Sequence, residues 1–168
     1  MTKRLATTLL LSLTLALGAI APASAMTPDY ASQYYLNSVC PTIPAWNGVI
    51  HALSKGNHLV RAGQVRGQRL RRVRAALLRL QRTDFVAAGN LTSTPSEWPT
   101  PEAAAATSKV ATALLRERLV IAELRTRSRG SFARYWNRVL LPQDRRVVDN
   151  WRLAMASLNI APNGNLGC

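Results

Sequence analysis

Apolar residues in this chain recur at intervals of three and four. No stretch alternates with the period of two that a half-buried strand requires, and no longer unit repeats. The pattern predicts four or five amphipathic helices. A first runs over roughly Asp29–Val39, and a second over Ala45–Lys55, between Pro41/Pro44 and the stop at Gly56-Asn57. The third, Gln64–Ala88, carries Leu70, Val73, Leu77 and Leu80 on one stripe and is expected to stop at Gly89-Asn90. A fourth opens with Thr100 as cap and Pro101 in the first turn, runs to about Arg127, and buries Val110, Leu114, Ile121 and Leu124. A last helical region begins after Gly130-Ser131 and is kinked or split at Pro142. Its inner face holds Val147, Trp151, Ala154, Met155 and Leu158. The expected fold is an all-α helical bundle.

The amino terminus is read differently. Lys3 and Arg4 precede an uncharged run from Leu5 to Ile20, and Ala23-Ser24-Ala25 supplies the small-x-small pattern of a signal peptidase site. Residues 1–25 are therefore read as an export signal and residues 26–168 as a single helical domain. The expected setting is extracellular or cell-envelope associated, with no transmembrane span in the mature chain. In that oxidising setting Cys40 and Cys168 read as one disulfide closing the bundle. A lipid anchor on Cys40 has a poor lead-in in Asn37-Ser38-Val39. A metal site lacks ligands, since His51 and His58 have no cysteine nearby.

Charge adds a partner class. The chain carries 22 Lys and Arg against 8 Asp and Glu, a net +14, or +12 once Lys3 and Arg4 are removed. Eight arginines fall between positions 61 and 82 without a carboxylate among them, and Arg71, Arg72, Arg79 and Arg82 lie opposite the apolar stripe, with Arg69 beside it. Such a face suits anionic polymer or lipid, because each guanidinium offers a planar fork of donors. Without interleaved aromatic residues or a glycine-rich phosphate loop, specific nucleic-acid recognition is not expected, and no cofactor is implied.

Three charged residues fall on predicted inner faces: Arg66 and Asp84 on the third helix, Glu117 on the fourth. A carboxylate turned toward a core needs a partner, since burying it alone is costly. Glu117 is expected to pair with Arg66 or Arg125. The alternative is a small polar pocket around Arg66, Asp84 and Glu117 that binds a small ligand or performs acid–base chemistry. No catalytic nucleophile is recognisable.

Tyr35-Leu36-Asn37-Ser38-Val39-Cys40-Pro41, the Trp98-Pro99 loop and the ending Leu158-Asn159-Ile160-Ala161-Pro162…Cys168 resemble uncharacterised small secreted helical proteins of actinobacteria. The resemblance implies a bacterial envelope or extracellular setting and paired end cysteines, and it carries over no functional residue. The third helix of this chain is richer in arginine than that pattern. Taken together, these features favour an exported, non-enzymatic basic bundle contacting anionic envelope material. A pocket-bearing binder or enzyme and an extracellular protein-binding adaptor are the alternatives.

Overall fold

The structure, a computed structural model, describes residues 25–55, 58–59, 61–93, 97–161 and 167–168. The export-signal reading falls almost wholly outside these residues. The described chain is an all-α helical bundle: α1 (Pro28–Val39), α2 (Thr42–Leu53), α3 (Gly67–Ser93), α4 (Pro101–Thr126), α5 (Arg129–Tyr135) and α6 (Leu141–Ser157). A two-residue antiparallel pairing of Ser54–Lys55 with His58–Leu59 and a single 3-10 turn (Ala62–Gln64) link α2 to α3.

Local chemistry sets most of the boundaries. The Thr27 and Thr100 hydroxyls accept from the Tyr30 and Ala103 amides, capping α1 and α4, and each helix starts on a proline whose missing N–H costs nothing there. Thr42 opens α2 three residues earlier than expected, because Pro44 sits in the first turn, where proline is tolerated. Helix α3 does not stop at Gly89-Asn90. Leu91 is buried in line with Ala87 and Ala88, and that burial carries the helix to Ser93.

The break expected at Pro142 is a π-turn, Trp136–Leu140, between α5 and α6. The Leu141 amide donates to the Trp136 carbonyl five residues back. One additional residue is thereby absorbed just before a proline with no N–H to give.

The core forms two blocks. One packs Tyr35 and Val39 of α1 against Leu91, Leu114 and Trp151; the other packs Val49, Leu77, Leu80, Ile121, Phe132 and Trp136. Trp136 is buried and stacked on Trp46 with centroids 6.0 Å apart, which ties the π-turn to α2. Cys40 and Cys168 form a disulfide with Cα atoms 5.7 Å apart, tying the α1–α2 turn to the tail beyond α6. No helix among the described residues is long and apolar enough to cross a membrane.

Candidate functional site

Four helices meet around a cavity of about 260 Å³. Helix geometry explains how each contributes. Ile43, Trp46 and Asn47 face it from α2, Leu80 and Asp84 from α3, Leu114 and Glu117 from α4, and Asp144, Val147, Val148 and Trp151 from α6. Within each helix these positions are spaced by three or four, so they share one face. The walls are largely apolar and aromatic, and three of the polar residues among them, Asp84, Glu117 and Asp144, are acidic.

Asp84 has no exposed surface and Glu117 only 3%, yet both Asp84 oxygens and Glu117 Oε1 have no hydrogen-bond partner, and the Trp151 indole Nε1 is likewise unpartnered. Burial pushes the Asp84 carboxyl from 3.8 up to about 8, with a further push from Asp144. Burial raises Glu117 well above its ordinary value, reinforced by Asp84 and then Asp144. Asp144, half-buried on the α6 side, rises to about 6 by burial, against the pull of Arg145. The three groups therefore feel one another, and at neutral pH the innermost hold protons.

Three of the eight carboxylates of a strongly basic chain gather in this one cavity, and no cation lines it. An unpartnered buried carboxylate is normally eliminated or paired with arginine. Neither has happened here, although arginines are abundant. Among the described residues, ion pairs occur only on the surface, between Arg127 and Glu123 and between Arg152 and Asp149.

The structure corrects the expected partners of Glu117. Arg125 Nη1 donates to Gln81 Oε1 at 2.8 Å, so that guanidinium is held elsewhere. Arg66 is exposed, precedes the start of α3 and stands 18 positions before Asp84, about 27 Å along a helix. It does not join the acidic pair. Asp84 and Glu117 do line one cavity, and Asp144, which the sequence did not single out, joins them.

Among the described residues, no group of three or more His, Cys, Asp or Glu is placed to hold a metal ion. The carboxylates share the cavity without converging on one coordination point. The cavity lining offers no histidine or cysteine, and the Thr42 hydroxyl is engaged with the Val39 carbonyl at 2.7 Å.

The predicted arginine face divides. Arg71, Arg72, Arg79 and Arg82 are exposed and Arg69 is half-buried, and none forms an ion pair. Arg69, Arg72 and Arg79 turn toward α2 and line a second recess of about 600 Å³ with Asn47, Gly48 and His51. Arg71 and Arg82 do not line it.

Compared with models of known protein families, with curated proteins and with solved structures, the chain matches none. Fold and site together define its class: a disulfide-closed helical bundle with a carboxylate-lined cavity between four of its helices.

Proposed function

We propose that this protein is an exported binding protein whose four-helix cavity receives the cationic head of a small organic molecule, an alkylammonium group. One observation carries the reading: Asp84 and Glu117 are buried, unpartnered and turned into the same cavity. A bound cation would supply the missing counter-charge, and the attraction is strong where water is excluded. Trp46 and Trp151 add aromatic surface, against which alkylammonium groups bind well. The volume suits a small head group, since an apolar cavity of about 150 Å³ already holds a benzene ring.

Acid–base catalysis has less support, because no nucleophile or histidine lines the cavity with the carboxylates. Contact with anionic envelope polymer or lipid is a second reading, favoured by the exposed, unpaired Arg71, Arg72, Arg79 and Arg82.

Titration calorimetry of the purified protein with choline and with a diamine tests the first reading. Binding is expected to tighten as pH rises from 6 to 8, because the ligand displaces protons held by Asp84 and Glu117. Glu117→Gln is expected to abolish it while leaving the circular dichroism spectrum unchanged. Choline binding that is indifferent both to pH and to Glu117→Gln would refute the site.

A further inference from the structure

We propose that the arginine-lined recess between α2 and α3 is the second half of the same binding site, so that the ligand is a two-headed zwitterion with its ammonium end in the carboxylate cavity and a phosphate or carboxylate end on Arg69, Arg72 and Arg79. The inference rests on the cation-binding reading given above.

The two recesses abut. Along α2 the cavity takes Ile43, Trp46 and Asn47, and the arginine recess takes Asn47, Gly48 and His51. Along α3 the recess takes Arg72, Ala76 and Arg79, and the cavity follows with Leu80 and Asp84. The order is reversed between the helices, as antiparallel neighbours require, and Asn47 lines both spaces. Its amide has both a donor and an acceptor to offer at the junction.

The charges are sorted as cleanly as the spaces. The cavity lining holds three carboxylates and no cation; the recess lining holds three arginines and His51 and no carboxylate. In a chain whose basic residues far outnumber its acids, such separation across one shared residue gives a ligand a fixed orientation. Arg79 precedes Asp84 by five positions and Arg72 precedes it by twelve, about 8 Å and about 18 Å along the axis. The two heads therefore belong on a flexible spacer that covers about 8 Å or more. Guanidinium forks match the planar or tetrahedral oxygens of such an anion.

Calorimetry with four probes at pH 8 and low salt tests the inference: choline, inorganic phosphate, phosphocholine and a series of aminoalkyl phosphates of increasing chain length. The best zwitterion is expected to bind about tenfold or more tighter than choline, the worth of one charge-assisted hydrogen bond. The double variant Arg72→Gln/Arg79→Gln is expected to erase that advantage without weakening choline binding. Equal binding of choline and every zwitterion, or an advantage that persists in the double variant, would overturn the second half while the cation reading stands. Failure of all ammonium probes with phosphate still bound would overturn both. A parallel arm with phosphatidylcholine vesicles separates the sources of the head group. Vesicle binding displaced by free phosphocholine assigns a lipid, and free binding without vesicle binding assigns a soluble zwitterion.

Discussion

Replacing Asp84 by Asn should remove a large share of the pH dependence of this protein's stability. Asp84 is protonated in the folded chain up to about pH 8, whereas unfolding returns its pKa to 3.8. Between those values the native state binds more protons than the unfolded state, so stability falls as pH rises. The loss begins near pH 4 and is complete once the pH passes about 8. Moving a carboxyl from 3.8 to about 8 is worth about 6 kcal/mol at about 1.36 kcal/mol per pKa unit. Solvent reaching the cavity lowers that ceiling, and about 3 kcal/mol is the fall expected between pH 5 and 8. Urea unfolding of the wild type and of Asp84→Asn across this range measures it. The variant, which keeps the shape of the side chain and cannot ionise, is expected to show a much flatter profile and to be the more stable protein at pH 8. Glu117 and Asp144 are common to both proteins, so the difference between the profiles isolates Asp84. A wild-type profile that is flat or rises with pH, or a variant profile parallel to it, would refute the burial of an uncompensated carboxyl at this position.

Two further predictions concern the frame around the cavity. Removing the disulfide with Cys40→Ser/Cys168→Ser frees a separation of 128 residues, and loop-closure entropy sets the expected loss at about 4–5 kcal/mol, read as a lower urea midpoint. Gly167 sits at φ +85° with room for a Cβ only 3.0 Å from Met155 Cε and 3.1 Å from Leu36 Cδ2. Gly167→Ala is expected to cost about 1–2 kcal/mol in the same assay, and a neutral result would show that the tail can move away from α1 and α6.

Much of this architecture was legible in the sequence wherever the governing interaction is local. The Thr100-Pro101 start of α4 depends on a hydroxyl three residues from the amide it caps. The inward carboxylates Asp84 and Glu117 were visible because both fall on an apolar stripe of uninterrupted helix. Arg66 was placed on that stripe only by starting α3 too early; the helix begins at Gly67, after a buried Val65 that ends the 3-10 turn. The expected stop at Gly89-Asn90 failed because burial of Leu91 outweighs the helix-breaking tendency of two exposed residues. Asp144 went unnoticed for another reason. It lies three positions before Val147, on the inner face already read for the last helix, but in the turn beside Pro142, where a break was expected.

The π-turn makes chain length itself part of the site. One residue more or fewer rotates an α-helix by about 100°, so a straight helix from Arg129 to Ser157 would present a different face of α6 to the bundle. Asp144, Val147 and Trp151 owe their place in the cavity to the count of residues between Phe132 and Pro142 as much as to their own identity. In relatives of this chain the mark of a kept cavity would be that spacing, carried unchanged beneath substitutions that a residue-by-residue comparison would score as divergence.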